Sequence, residues 1–242
     1  MDYFRNIVLV AAIAGAIAGL GMTVAQQLTT VPLILKAEVY EQGAGAPAHD
    51  HRDQVAASAH SHGEAAAGAA EEEGWAPADG FERTAFSVAA NIVTGIGFAL
   101  LLIAASELFG GIKDWRQGVF WGLAGFAVFT LAPGLGLPPE LPAMPAAELV
   151  PRQLWWVATA LCAAIALGLL VYQRSLVAVL AAIALLVVPH LIGAPQPASF
   201  ATPIPEGLHH SFVVAVVVTT LLFWVLLGGM AGLFRGRFVH AS

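Results

Sequence analysis

The sequence has little charge. Its 242 residues include 10 basic and 16 acidic side chains, so 11% are charged and 58% are hydrophobic. A soluble domain carries about 25% charged residues, which cover its surface, and a water-soluble globule is therefore excluded. The net charge of −6 also excludes the basic surface that nucleic-acid binding needs. We predict an integral membrane protein that contacts the lipid bilayer and binds no nucleic acid.

Signatures of covalent chemistry are also scarce. The single cysteine, Cys162, lies in an apolar run, which excludes a disulfide framework and a thiolate metal cluster. Neither lysine, Lys36 or Lys113, belongs to a glycine-rich phosphate loop. We see no nucleophile–base set for hydrolysis. The sequence therefore predicts no enzymatic activity and no tightly bound cofactor.

Long runs without charge locate the membrane crossings, because a bilayer core of about 30 Å needs about 20 helical residues. Lipid offers no partner to an open backbone N–H, so these runs must be helices. They predict an all-α, polytopic helical bundle, with residues 1–242 forming a single membrane domain. The predicted crossings are residues 6–35, 84–106, 117–131 (ended by Pro133), 153–172, 176–192 and 211–234.

Two of these six crossings have alternatives. The first run resembles a signal peptide, but it extends past the roughly 7–15 apolar residues of a signal core, so we expect it to be retained. The fifth run has 17 residues, the short limit for a crossing, so five crossings are the alternative. Small residues four apart predict close packing within the chain rather than a dimer face: Ala11, Gly15 and Gly19, then Gly118 and Gly122, then Gly228 and Gly232.

The basic residues predict the orientation. With six crossings and a cytoplasmic N-terminus, six basic residues lie inside and four lie outside, as the positive-inside rule requires. Both termini are then cytoplasmic, and 13 acidic residues lie outside. Trp115 at an inner boundary and the Trp155–Trp156 pair at an outer boundary fit interfacial anchoring. The inner set is Arg5, Lys113, Arg116, Arg174, Arg235 and Arg237, and the outer set is Lys36, Arg52, Arg83 and Arg152.

The long polar segment, residues 36–83, is predicted to be an outer loop. Its centre is rich in Ala, Gly, His and Glu without an apolar period, so we expect disorder. Two histidine pairs with nearby carboxylates can wrap a borderline divalent ion such as cobalt, nickel or zinc. An unselected low-complexity linker is the alternative interpretation. The candidate metal ligands are His49, His51, His60 and His62.

Three further histidines lie where predicted crossings meet the outer face. His190 ends the fifth crossing, and His209 and His210 begin the sixth. Ionisable groups at membrane depth are costly and mark pathways or sites, whereas interfacial histidines among lipid headgroups are the bland alternative. We predict that His190 and at least one of His209 and His210 line a cation-binding mouth. An intramembrane haem protein with His190 and His209 as axial ligands is a further alternative.

Polar groups inside the predicted crossings are candidates for either oxygen ligation or interhelical hydrogen bonds, and we favour hydrogen bonds for most. Glu107 is the best candidate for an exit-side carboxylate. The other members of the polar set are Gln26, Gln27, Asn91, Thr94, Thr219 and Thr220.

Pro133 is predicted to halt the third helix, and the prolines that follow it to hold Glu140 and Glu148 on a rigid lip. Arg152 with Trp155–Trp156 is predicted to fix the next helix at the interface. We interpret this region as a structural clasp, with a cation-attracting mouth that includes Glu140 as the alternative.

Several motifs together resemble the CbtA family of cobalt transporter subunits: Glu-Gly-Trp at 73–75, Glu-Arg-Thr at 82–84, Trp-Gly-Leu-Ala-Gly-Phe at 121–126, Leu-Ala-Pro at 131–133, Gly-Leu-Pro-Pro-Glu-Leu-Pro at 136–142, and Arg152-Gln153 with Trp155–Trp156. The resemblance covers nearly the whole chain and implies a bacterial inner-membrane protein associated with cobalamin biosynthesis. It also implies a small CbtB-like partner with one crossing. It assigns no ligand set.

We therefore expect a subunit that takes up divalent cobalt, with cobalt as cargo rather than cofactor. Cobalt is specified by the resemblance alone, because the predicted ligands suit nickel or zinc equally. A membrane scaffold that does not transport, and that stabilises a metal-binding partner, is the main alternative.

Overall fold

The apolar runs fold into helices that satisfy their own backbone hydrogen bonds, as lipid demands. The computed structural model describes residues 2–45 and 80–238. Within these ranges no strand occurs, which confirms the all-α prediction. The helices are α1 (Asp2–Leu28), α2 (Thr30–Gly45), α3 (Phe81–Glu107), α4 (Trp115–Phe126), α5 (Leu149–Tyr172), α6 (Leu176–Ile192) and α7 (Glu206–Phe238).

Four of these helices, α1, α3, α5 and α7, are long and apolar enough to cross a membrane. Helix α6 is apolar but shorter, with 17 residues. Helix α4 continues through a π-helical segment, Ala127–Leu131, and a last turn, Ala132–Gly134. The polytopic membrane bundle is therefore confirmed, while a total of six crossings stays a prediction.

The first predicted crossing, residues 6–35, is divided. Helix α1 ends at Leu28, and α2 begins at Thr30. The reason is Pro32, because a proline ring inside a helix clashes with the carbonyl of the residue four positions earlier, here Leu28. The Thr29 N–H still reaches the carbonyls of Ala25 and Gln26, at 3.0 and 3.2 Å. The break is therefore confined to one turn, and the Thr29 N–H keeps its hydrogen-bond partners.

Pro133 does not halt the third predicted crossing, which corrects the sequence prediction. The helical path passes through Pro133 to Gly134, and the proline is buried. A π-helical turn precedes it, in which the Ala132 N–H bonds to the Ala127 carbonyl five residues back. The wider turn accommodates a residue that lacks an N–H and would clash in a regular α-helix.

The small-residue faces join helices within the chain, as predicted. A Cβ atom added at Gly15 or Gly19 would clash with the backbone of α3 at Ile96 or Asn91. The same addition at Gly118 would clash with the Gly228 carbonyl of α7. Two backbone-to-backbone interfaces, α1 with α3 and α4 with α7, thus form the centre of the bundle. The buried core there includes Val10, Ala14, Ala99, Ile103, Trp224 and Leu227.

The bundle has two chemically different ends. The histidine end carries His190, His209 and His210, and the arginine end carries Lys113, Arg116, Arg174, Arg235 and Arg237. The Asn6 side chain donates to the Phe238 carbonyl at 3.0 Å, so both termini of the described chain lie at the arginine end. At the histidine end, the ion pair between Arg83 and Glu38 joins the helices that flank residues 46–79.

Helices α5 and α6 form a hairpin that packs beside this centre. Trp155 on α5 is buried, and its Nε1–H donates to the Pro189 carbonyl of α6 at 3.2 Å. The predicted interfacial role of Trp155 is therefore wrong, because its polar atom is satisfied inside the protein. Trp156 instead stacks on Phe129 of the π-helical segment, at 6.1 Å between ring centroids. Val128 packs there with Ala160 and Ala163 and attaches the hairpin to α4.

Candidate functional site

Several polar side chains lie close together in the histidine-end half of the bundle, where α1, α3 and α7 meet; Thr29 among them is exposed. We call this group the polar cluster: Thr23, Gln26, Thr29, Asn91 and Thr219. Thr23 and Thr219 are buried, at 7% and 1% exposure. Burying a polar atom in an apolar core costs folding free energy unless the atom has a hydrogen-bond partner. The partners of these side chains therefore determine what the cluster can do.

Asn91 is the centre of the polar cluster. Its Nδ2 donates to Gln26 Oε1 at 2.7 Å and to Thr23 Oγ1 at 3.0 Å, which joins α3 to α1. The Thr23 hydroxyl in turn donates to the Gly19 carbonyl at 3.0 Å. The predicted role of Asn91 and Gln26 as interhelical hydrogen-bond partners is confirmed.

The threonines extend the cluster to α7. Thr29 Oγ1 and Thr219 Oγ1 lie 3.1 Å apart, and the Thr29 hydroxyl also lies 2.7 Å from the Ala25 carbonyl. Thr220 bonds within its own helix, to the Val216 carbonyl at 2.7 Å. Gln27 and Thr94 are exposed on the outside of the helices. Gln26 and Thr219 therefore belong to the polar cluster, whereas their sequence neighbours Gln27 and Thr220 do not.

His210 opens onto the polar cluster. A cavity of about 430 Å³ at the histidine end is lined by His210, Ser211 and Thr29, together with apolar residues of α7. The His210 side chain is exposed. Thr29 is the member of the polar cluster that lines this cavity, and like His210 it is exposed.

His190 has a different environment. Its Nδ1 lies 3.0 Å from the Leu186 carbonyl, and its Nε2 lies 3.0 Å from the Ala132 carbonyl at the end of the α4 path. The Gly136 N–H bonds to the Pro133 carbonyl rather than to the Ala132 carbonyl. The His190 imidazole therefore contacts a carbonyl that, within the described residues, has no backbone partner at the helix end. The ring of Trp155 meets that of His190 edge-on at 5.8 Å.

This geometry bears on both predicted roles of His190. A metal or a haem iron needs a ring nitrogen with a free lone pair, and both nitrogens here face backbone carbonyls. In this conformation His190 joins the hairpin to α4, and it must leave one carbonyl to bind a cation. The haem alternative is disfavoured for the same reason.

His209 lies against the proline-rich loop. His209 Nε2 lies 3.2 Å from the Pro139 carbonyl. In the same loop, Glu140 Oε2 accepts from Arg152 Nη2 at 3.0 Å. The predicted clasp between this loop and α5 is therefore present, and it occupies the Glu140 carboxylate.

Glu107, predicted as an exit-side carboxylate, is paired at the arginine end. Its Oε1 accepts from Arg235 Nε at 2.7 Å, and its Oε2 accepts from the Tyr3 hydroxyl at 2.6 Å. Arg235 is 5% exposed and also donates to the Ile112 carbonyl. This group joins α1, α3 and α7, so the contacts of Glu107 are those of a structural tie.

The remaining predicted ligands, His49, His51, His60 and His62, lie outside the described residues. Within residues 2–45 and 80–238, no group of three or more His, Cys, Asp or Glu side chains is arranged to hold a metal ion. His190, His209 and His210 thus share one end of the bundle without forming one coordination group. The sequence prediction missed Thr23 and Thr29. Thr23 could have been found, because Thr23, Gln26 and Thr30 recur at the three- and four-residue spacing of one helix face.

Comparison with protein families decides the identity. A family model for CbtA, described as a probable cobalt transporter subunit, matches residues 4–236. The chain belongs to this family. The CbtA match includes every helix of the bundle and both sides of the polar cluster. Neither the curated proteins nor the solved structures contain a match to this chain.

Membership in CbtA makes the chain a subunit of a cobalt transporter, which implies other subunits. The apolar helices agree with a multi-pass membrane protein. A transporter subunit also fits the prediction that the chain is not an enzyme.

Proposed function

We propose that this CbtA protein takes divalent cobalt into the cell across the bacterial inner membrane. In this proposal the histidine end faces the periplasm and the arginine end faces the cytoplasm, with both termini inside. The excess of basic residues at the arginine end supports this orientation. The cobalt would supply cobalamin biosynthesis, as the family resemblance suggests.

The observation that carries the proposal is the position of Thr29, an exposed member of the polar cluster that lies beside His210. His210 and Thr29 line one cavity, Thr29 contacts Thr219, and Gln26 with Asn91 lies one turn deeper along α1. Polar side chains within crossings are expensive in lipid and mark ion pathways in transporters. The break at Thr29 adds to this, because discontinuous helices form substrate sites in many transporters.

The histidines supply the first ligands in this proposal. The loop residues His49, His51, His60 and His62 would collect the ion, and His209 and His210 would receive it at the mouth. Imidazole and neutral oxygen donors suit borderline dications, including nickel and zinc. His190 joins this set only if its bond to the Ala132 carbonyl opens.

A partner is part of the proposal. Below the polar cluster, the backbones of α1 and α3 touch at Gly15 and Gly95, so the ion passes only if these helices separate. A small CbtB-like subunit with one crossing is the partner that we propose for that step.

A scaffold without transport activity is the second candidate. It is favoured by the pairing already present at His190, Glu140 and Glu107, since these groups hold protein atoms rather than facing an open path. In that case the partner binds the metal, and this chain stabilises it.

Uptake of radiolabelled cobalt, in cells that lack other importers, tests the proposal. Gln26→Leu removes the side-chain oxygen that accepts from Asn91 in the polar cluster. Gln27→Leu makes the same change at the exposed neighbouring position. We expect Gln26→Leu to abolish most uptake and Gln27→Leu to leave it near wild type, at equal expression and equal melting temperature. Equal uptake by the two variants would reject the pathway and favour the scaffold. Competition with nickel and zinc measures the selectivity.

A further inference from the structure

An apolar groove lies between α3, α4 and α5, in the half of the bundle nearer the arginine end. Its volume is about 520 Å³, within the 300–1,000 Å³ of small-molecule sites. Nearly all of the lining is apolar, and Gln117 and Tyr172 add polar atoms towards the arginine end. The residues that line the groove include Leu101, Phe120, Trp121, Ala164 and Gly168.

The groove exists because the α5–α6 hairpin meets the bundle at two levels. At one level, Val128 packs with Ala160 and Ala163. At the other, the Phe109 and Tyr172 rings stack at 4.2 Å between centroids, with 10° between their planes. Between these levels, the small residues of α5 leave space. A Cβ added at Gly168 would meet no atom within 4 Å.

The groove has a closed floor and an open side. Phe98, Phe129 and Trp224 pack together as the floor, with centroids 4.9 Å apart for Phe98 and Trp224 and 5.7 Å for Phe129 and Trp224. On the rim, Leu101 is 56% exposed and Phe120 is 71% exposed. In a bilayer such an opening faces hydrocarbon, so an acyl chain can enter it from the side.

Three cations lie within four positions along the chain of residues that line the end of the groove. Lys113 and Arg116 precede the lining residue Gln117, and Arg174 follows the lining residue Tyr172 by two positions. All three are exposed. Of the nearby acids, Asp114 accepts from the Gln117 N–H as a helix cap, and Glu107 is paired with Arg235. The rim therefore keeps a net positive charge.

We propose that the groove binds one acyl chain of an anionic phospholipid, whose phosphate lies against Lys113, Arg116 and Arg174. Basic sites between crossings bind anionic headgroups, and the apolar groove supplies the matching site for the chain. A helix of a partner subunit fits less well. At 10–12 Å in diameter and about 30 Å in length, a crossing helix fills several times the volume of this groove.

Lipid binding to the purified full-length protein in detergent tests this proposal and needs no cobalt. Native mass spectrometry would compare phosphatidylglycerol with phosphatidylcholine of the same acyl chains. We expect the wild type to bind phosphatidylglycerol about tenfold more tightly or better, from three cations near the headgroup. The combined variant Lys113→Gln, Arg116→Gln and Arg174→Gln should lower this affinity to that of phosphatidylcholine. Arg237→Gln, at the same end but 13 positions along the chain from Trp224, its nearest lining residue, should not.

The acyl-chain half of the proposal has its own matched pair. Gly168→Leu fills the groove, and Gly97→Leu makes the same change on exposed α3, where a Cβ also meets no atom within 4 Å. We expect Gly168→Leu to lower binding of both lipids at least tenfold and Gly97→Leu to leave it unchanged. If Gly168→Leu does not fold, Ala164→Leu takes its place.

Three results would overturn the proposal. One is equal affinity of the wild type for the two lipids, and another is equal loss in Gly168→Leu and Gly97→Leu. The third is a second protein chain that co-purifies with the wild type and is lost only in Gly168→Leu, which would assign the groove to a helix.

Discussion

Glu107 and Arg235 lie 128 positions apart in sequence, yet their side chains meet at 2.7 Å and hold the ends of α3 and α7 together. The Tyr3 hydroxyl closes the same group from α1. Removal of one partner of a buried pair leaves an uncompensated charge, which costs about 3 kcal/mol or more. This group is therefore expected to dominate stability at the arginine end.

We predict that Glu107→Ala lowers the free energy of unfolding by about 3 kcal/mol, because Arg235 is left buried without its anion. Thermal unfolding of the purified protein measures the loss. Glu107→Gln retains the acceptor for Arg235 and should lose less. A Glu107→Ala protein as stable as the wild type would show that the pair contributes nothing.

The α4–α7 interface gives a second prediction. Gly228→Ala places a Cβ against the Gly118 carbonyl, so two helix backbones must separate. We expect loss of folded protein, measured as the monodisperse fraction on size exclusion in detergent. Gly207→Ala is the control, because its Cβ meets no atom within 4 Å. If both variants fold like the wild type, the interface is looser than the structure shows.

His190 gives a third prediction. His190→Ala removes the contact between Nε2 and the Ala132 carbonyl, which joins the α5–α6 hairpin to the end of the α4 path, and an interhelical hydrogen bond contributes about 0.6–2 kcal/mol in a membrane bundle. We expect a melting temperature several degrees lower. His210→Ala, at an exposed position, should leave it unchanged. The opposite order would mean that His210, rather than His190, supports the fold.

The elements that follow from bilayer thickness were predictable, and those that follow from packing were not. The positions of α3, α5 and α7 agree with the apolar runs because hydrocarbon sets the run length, and each helix extends a few residues beyond its run. The break at Thr29 was available in principle, since Pro32 acts on the residue four positions earlier. The π-helical segment before Pro133 was not predicted, because a proline usually ends a helix and the sequence does not show that a wider turn accommodates it here.

The candidate site divides in the same way. Glu107 was recognised as an unusual acid, but its partner Arg235 lies on another helix, and only the assembled bundle brings them together. Trp155 was placed at the interface by residue type, whereas the Pro189 carbonyl satisfies it internally. Gln26 and Gln27 look alike in the sequence. The helix turns one towards Asn91 and the other outwards.

The histidine loop gives the last prediction. If His49, His51, His60 and His62 collect cobalt for the mouth, they raise its local concentration without forming the pathway, as a tethered binding site does. Changing all four to alanine should therefore raise the KM for cobalt uptake several-fold while the maximal rate stays near wild type. Cells with the His209→Ala, His210→Ala double variant should lose maximal rate instead, because His210 lines the cavity with Thr29 and His209 lies beside it against the Pro139 carbonyl. Uptake of radiolabelled cobalt over a concentration series separates the two effects. An unchanged KM in the loop variant would show that these four histidines do not collect cobalt.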